Sequence, residues 1–117
     1  MTTFLVMTLA GAAGALCRYL VSGIVQEKTG SDYPIGTLSV NLSGAFLIGL
    51  AAGGSWLGPD TSTAVFGFLG GYTTFSTWMI ETLRLGLPSG RPRAVWNLTI
   101  TLLLGVGLTA LGYSLAR

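Results

Sequence analysis

The chain has 117 residues, of which half are hydrophobic and 9% are charged, and its formal net charge is +2. Because soluble domains carry about 25% charged residues, most of this surface must face lipid, and so small a net charge argues against a nucleic-acid partner. With no histidine and Cys17 as its one cysteine, a single chain forms neither a disulfide nor a His/Cys metal cluster.

Four apolar stretches follow one another at nearly even intervals, at residues 4–25, 35–57, 63–85 and 94–115. A helix of that length extends roughly 33 Å at about 1.5 Å per residue, and the hydrocarbon core of a bilayer is about 30 Å thick. Short breaks with turn-forming residues separate the stretches, the last at residues 86–93. The sequence therefore predicts an all-α integral membrane protein in which residues 1–117 form a single domain of four spans.

The first span carries a charge, Arg18, in its interior. Charges inside a membrane are costly enough to make this residue a functional candidate. Its side chain either extends toward the interface or draws anions into a vestibule, and both interpretations stay open. Small residues four apart predict close helix contacts in the first two spans: Ala10 with Gly14, Gly11 with Ala15, Ala45 with Gly49, and Gly49 with Gly53.

The second span places Thr37 and Asn41 four residues apart, on one face of a helix. An asparagine in hydrocarbon needs hydrogen-bond partners, which a neighbouring helix or a permeating ion can supply. Its amide group can donate to an anion without any basic residue. Interhelical hydrogen bonding is the equally good alternative for each of these two residues.

The third span is unusual because Gly70 and Gly71 precede four closely spaced hydroxyl residues. Those hydroxyl residues are Thr73, Thr74, Ser76 and Thr77. Such a stretch supports a lipid-facing helix poorly and favours a helix break. In a protected break, the freed carbonyls coordinate cations and the half-helix N-termini favour anions. The alternative is a continuous helix whose glycines serve packing.

Phe75 and Trp78 are three residues apart and are expected on one helical face, with Glu81 three residues further on. The edge of an aromatic ring is partly positive, so this pair can present a favourable rim to an anion, although such pairs more often serve packing. For Glu81, an ion pair with Arg84 is the simpler interpretation.

The fourth span repeats the spacing of the second, with Asn97 and Thr101 four residues apart. Together with Asn41 they predict a polar track, and interhelical hydrogen bonding is again the alternative. No general base or metal set lies among the spans, which argues against an enzyme.

Positive charges outside the spans are uneven. One side of the membrane is expected to carry Lys28, Arg84, Arg91 and Arg93, and the other side Arg117. The positive-inside rule therefore predicts that the first and third loops are cytoplasmic and that both termini are outside.

Taken together, these motifs resemble the Fluc (CrcB) fluoride channels of microbial membranes. The likeness is carried by Gly11-Ala12-Ala13-Gly14-Ala15 with Arg18-Tyr19, by Pro34-Ile35-Gly36-Thr37-Leu38 with Val40-Asn41, and by Gly67-Phe68-Leu69-Gly70-Gly71 leading into Thr73-Thr74-Phe75-Ser76-Thr77. The last block is the most specific of the three.

The resemblance implies passive fluoride export across the cell membrane by a dual-topology dimer of two antiparallel copies with broken third helices. It further implies a structural sodium ion at the dimer centre, held by the backbone carbonyls of Gly70 and Thr73. The predicted fluoride pathway comprises Arg18, Thr37, Asn41, Thr74, Phe75, Ser76, Thr77, Trp78, Asn97 and Thr101. Fluoride, membrane lipid and a second copy of the chain are the expected partners.

The sequence departs from the family pattern at two places. The second pore aromatic of the family is commonly phenylalanine, and Trp78 stands there in this chain. In the fourth span some members have a tyrosine and two serines, where this chain has Asn97, Thr101 and Gly105.

Three alternatives accompany the fluoride-channel prediction. A small proton-coupled drug exporter would need a deep carboxylate, for which only Glu81 is available. A non-transporting membrane subunit would explain the glycines but not the hydroxyl cluster. The charge asymmetry also leaves open a heterodimer with an oppositely inserted paralogue, although a homodimer is preferred.

Overall fold

The computed structural model describes residues 1–87 and 91–117, and these residues form five helices joined by short connections. The helices are α1 (Thr2–Thr29), α2 (Ile35–Gly53), α3 (Pro59–Tyr72), α4 (Ser76–Leu85) and α5 (Arg91–Ala116). The all-helical class is confirmed over these ranges. Of the loop predicted at 86–93, Pro88 and Gly90 lie outside the described residues.

Three of the helices, α1, α2 and α5, are long and apolar enough to cross a membrane. The stretch predicted as the third span instead contains α3 and α4, which have 14 and 10 residues and are separated by residues 73–75. At about 1.5 Å per residue their lengths are about 21 Å and about 15 Å, so neither alone spans a core of about 30 Å.

The connection between α2 and α3 lies four residues earlier than the sequence pattern indicates, at residues 54–58 and not 58–62. Helix α2 ends at Gly53, four residues before the predicted bound, because Gly54 adopts an extended conformation with φ −88° and ψ 135°. Helix α3 begins early, at Pro59, because proline suits the first helical turn, where its missing N–H is not needed. Apolar content alone does not locate these ends.

A glutamine organises the connection between α1 and α2. Gly30, with φ 61°, closes α1 in the left-handed conformation that favours glycine. The Gln26 side chain then donates through Nε2 to the carbonyls of Ser31 (2.7 Å) and Tyr33 (2.9 Å). Its Oε1 accepts from the N–H of Gly36 at 2.9 Å, so one side chain satisfies both the loop and the first turn of α2.

Helix α1 packs mainly against α3, and α2 packs mainly against α5. Glycines form both contacts: a Cβ atom at Gly14 would overlap the carbonyl of Phe68, and one at Gly49 would overlap the carbonyl of Thr109. Gly53 meets Tyr113 of α5 in the same way. Packing by small residues is therefore confirmed at these positions, within one chain.

We expect Gly14→Ala to destabilise the chain by about 1–3 kcal/mol, because the added methyl group forces the α1 and α3 backbones apart. Thermal unfolding in detergent measures the effect. Gly23→Ala is the matched control on the same helix, since a Cβ there meets no atom within 4 Å. Equal melting temperatures for the two variants would contradict the packing argument.

Asp32, in the loop between α1 and α2, and Arg93, in the loop predicted at 86–93, lie at the same end of the bundle. Arg93 donates to both carboxylate oxygens of Asp32, at 3.2 and 3.1 Å, and lies 5.8 Å from the centroid of the Tyr33 ring. The hydrogen bonds and the charge of Arg93 hold the pKa of Asp32 below its ordinary value of 3.8. The predicted placement of these two loops on one side is therefore confirmed, whereas which side faces the cytoplasm stays a prediction.

Candidate functional site

A groove of about 760 Å³ lies between α2, the 73–75 segment with the start of α4, and α5. It gathers half of the residues predicted from the sequence as site residues: Asn41, Thr73, Thr74, Phe75, Trp78 and Thr101. Apolar side chains such as Leu102 and Val106 form much of the remaining wall. The groove thus combines a few polar groups with apolar walls, as ligand sites in proteins commonly do.

Asn41 fastens the segment between α3 and α4 to α2. Its Nδ2 donates to the Thr74 carbonyl at 2.9 Å, and its Oδ1 accepts from the Thr74 N–H at 2.8 Å. In an unbroken helix, that N–H would donate to the carbonyl of Gly70. The asparagine side chain therefore replaces helical hydrogen bonds, which lets α3 end at Tyr72 without leaving the Thr74 peptide groups unpaired.

In the same segment a second backbone N–H, that of Thr77, bonds a side chain and not the carbonyl that it would reach in a helix. The N–H of Thr77, which would reach the Thr73 carbonyl in an unbroken helix, donates to Thr74 Oγ1 at 3.3 Å. The carbonyls of Gly70 and Thr73 thus both lose their usual helical donors. Carbonyl oxygens released in this way are the kind of ligand that hard cations such as sodium accept.

Phe75 and Trp78 face the groove together, as their spacing predicts. Their ring centroids are 5.7 Å apart and their planes are inclined at 83°, an edge-to-face arrangement. Phe75 is 69% exposed in a single copy of the chain. Little of this copy therefore covers the Phe75 ring.

Thr101 supplies a polar group on the opposite wall. The residue is 7% exposed, it lines the groove, and its Oγ1 has no hydrogen-bond partner among the residues that the structure describes. A buried hydroxyl without a partner is costly in an apolar environment. A ligand in the groove that accepts a hydrogen bond would remove that cost.

Asn97 was predicted on the same track but lies behind the groove wall. Its side chain is 1% exposed and is hydrogen-bonded to Tyr33 and Thr82. Sequence reasoning missed Thr82, although its position four residues after Trp78 places the two on one face of α4.

The other predicted site residues do not line the groove in one copy of the described chain. Arg18 is half-buried on α1, Thr37 is buried near the start of α2, and Ser76 and Thr77 are exposed in the first turn of α4. A Cβ atom at Gly70 would meet nothing within 4 Å, so the surface around this glycine is open.

Sequence reasoning also missed the far end of the groove. Thr109 and Tyr113 line it, and Thr109 Oγ1 donates to the carbonyls of Ala45 (3.0 Å) and Gly105 (2.9 Å). The signal was present, because Thr109 continues the four-residue spacing that begins with Thr101.

Comparison with known proteins gives a consistent result along almost the whole chain. The family model of the CrcB-like proteins (Camphor Resistance, CrcB) matches residues 5–113. Fluoride-specific ion channel FluC 2 of Mycolicibacterium paratuberculosis is 39% identical over 95% of this chain and 91% of its own. Fluoride-specific ion channel FluC of Citrifermentans bemidjiense is 41% identical over 95% and 94%, and FluC 3 of Brucella suis is 39% identical over 93% and 87%.

Proposed function

This chain belongs to the CrcB family, which is a family of ion channels and not of enzymes, and on that premise we propose that it is a fluoride-specific channel. One observation carries the proposal: residues from two separate blocks that resemble the fluoride channels, Asn41 and the 73–75 segment, meet around one groove. They do so together with Trp78 and Thr101.

The groove suits a small anion that is bound by partly positive groups and not by a fully charged side chain. Among the residues that the structure describes, neither lysine nor arginine lines it. The hydroxyl of Thr101 can donate a hydrogen bond, and the ring edge of Phe75 can present its partly positive rim. The N-terminus of α4 adds the favourable end of a helix dipole beside Phe75. A weak, multi-point site of this kind holds an ion without trapping it.

A second copy of the chain, inserted in the opposite orientation, completes the pathway. The exposure of Phe75 (69%), Leu102 (59%) and Val106 (64%) along the groove supports such a partner. The homodimer is preferred. The uneven loop charges make a heterodimer with a paralogue the alternative, and the numbered names of relatives such as FluC 2 and FluC 3 are consistent with several copies in one organism.

The residues near the helix break fit a structural sodium ion. The donors that would occupy the Gly70 and Thr73 carbonyls are bonded to Asn41 and Thr74 instead. Two carbonyls are too few for a hard cation, so the equivalent pair from the second copy is needed. When bound, the ion would supply positive charge that holds the two breaks together.

The sodium proposal makes a prediction for the assembled protein. Replacing sodium with an organic cation is expected to lower the melting temperature of the dimer in detergent, because the backbone carbonyls at the helix break no longer bind a cation. Potassium chloride at equal ionic strength is the control for screening. Identical melting curves in all three salts would contradict the sodium site.

The channel acts passively at the plasma membrane. Fluoride enters a cell as the neutral acid and ionises in the cytoplasm, where its charge prevents return through lipid. A selective pathway lets the anion leave down its own gradient and so limits fluoride toxicity.

Efflux from liposomes tests the function directly. The purified chain alone is reconstituted in vesicles loaded with potassium fluoride, a potassium ionophore balances charge, and an electrode follows the released fluoride. We expect fast fluoride efflux and no comparable chloride efflux from matched vesicles. Equal release of both anions would remove the fluoride-specific assignment. Release only after co-reconstitution with a paralogue would favour the heterodimer.

A further inference from the structure

A closed ring of hydrogen bonds joins α4 to α5 behind the groove. Asn97 Nδ2 donates to Thr82 Oγ1 at 2.8 Å, and Thr82 Oγ1 donates to the Trp78 carbonyl at 2.7 Å. The indole Nε1 of Trp78 donates in turn to the Asn97 carbonyl at 3.4 Å. Thr82 bonds the main-chain carbonyl of Trp78 within α4, whereas the indole N–H bonds the main-chain carbonyl of Asn97 on α5, so the second contact is the one that holds the indole ring itself.

Asn97 and Thr82 of this hydrogen-bonded ring are buried, and Tyr33 from outside the ring also bonds to Asn97. Asn97 is 1% exposed and Thr82 is 5% exposed, so water does not compete for these groups. Tyr33, from the connection between α1 and α2, donates its hydroxyl to Asn97 Oδ1 at 2.9 Å. Both Oδ1 and Nδ2 of Asn97 thus have hydrogen-bond partners, which fixes the orientation of the side chain.

We propose that Asn97, acting through Thr82, is a positioning residue that sets the orientation of Trp78 at the groove; the inference rests on the proposed channel function. Because the indole N–H already has an acceptor on α5, Trp78 presents its ring to the groove beside Phe75 and not an N–H donor. The acceptor is the main-chain carbonyl of Asn97, so the Asn97 side chain acts indirectly: its bond to Thr82 ties α5 to α4 one turn from Trp78 and keeps that carbonyl within reach of the indole.

A pair of variants at Thr82 tests the proposal without altering a groove residue. Thr82→Val keeps the shape of the side chain but removes the hydroxyl, whereas Thr82→Ser keeps the hydroxyl. Thr63→Val is the matched control for loss of a threonine hydroxyl, because Thr63 Oγ1 bonds the carbonyl four residues earlier on α3, and not on α4 or α5. Asn97→Ala is the more severe variant, because it removes the side chain that bonds both Thr82 and Tyr33.

The first measurement does not depend on transport. With Trp56→Phe and Trp96→Phe, Trp78 is the one indole left, and both replaced residues are largely exposed (68% and 57%). Hydrogen exchange at the Trp78 indole is then followed by ¹⁵N NMR. We expect exchange about threefold to tenfold faster in Thr82→Val than in Thr82→Ser, the range that one weakened hydrogen bond gives. Thr63→Val should stay within about twofold of the parent.

The second measurement is the ratio of fluoride to chloride efflux. The ratio is expected to fall about fivefold or more in Thr82→Val and to be restored in Thr82→Ser. Equal indole exchange in these two variants would overturn the proposal, as would an equally large change in Thr63→Val. If the unmodified chain releases no fluoride, the proposed function fails, while the exchange measurement still decides whether Asn97 and Thr82 position Trp78.

Discussion

Asn41→Ala is expected to slow fluoride efflux by about a hundredfold, because it removes the two hydrogen bonds that hold the Thr74 peptide groups. Each bond contributes about 1–1.5 kcal/mol, and their joint loss lets the 73–75 segment leave the groove wall. The efflux assay in liposomes measures the rate, and size-exclusion chromatography checks that the dimer remains intact.

Ser43→Ala is the matched control for Asn41→Ala. Ser43 lies on the same helix and contacts Tyr72, but it does not touch Thr74. Its efflux rate should stay within about twofold of the unmodified chain. If Asn41→Ala retained normal efflux, Asn41 would serve neither to hold the segment nor to line the pathway.

Phe75→Ile is expected to lower fluoride efflux about tenfold, which corresponds to losing about 1.4 kcal/mol of favourable interaction with the ring edge. Isoleucine keeps an apolar side chain at this position but has no aromatic quadrupole. The same substitution at Phe66, which is also on the described surface and does not line the groove, is the control.

The three possible Phe75→Ile outcomes separate different roles of the ring. Slow efflux with an intact dimer supports contact between Phe75 and the ion. Slow efflux with dissociation of the dimer would make Phe75 an interface residue, and normal efflux would contradict its place in the pathway.

Much of the site could be predicted because its signals are local. The glycines and hydroxyl residues at 70–77 are poor helix formers in a chain of good spans, so they indicate where helical geometry is weak. The spacing of Phe75 and Trp78 correctly placed both on one face. The small residues of α1 and α2 correctly indicated close packing.

Other features depend on contacts between distant parts of the chain. Asn41 and Thr74 are 33 residues apart in sequence, and Tyr33 and Asn97 are 64 apart. No periodicity within one helix reveals such a pair. Asn97 is the clearest example: the sequence left a polar track and interhelical hydrogen bonding as alternatives, and the buried side chain is hydrogen-bonded to Thr82 of a neighbouring helix.

By itself, the sequence determined that this protein is helical and lies in a membrane, because apolar content and length are sums over residues that need no three-dimensional information. The tertiary structure decided which polar groups have hydrogen-bond partners within the chain. Asn41 is committed to Thr74 and Asn97 to Thr82, while the hydroxyl of Thr101 is left without a partner in the described chain. The physical reason is that leaving a buried polar group without a partner costs free energy, and only the packing of α2, α4 and α5 determines which partners are within reach.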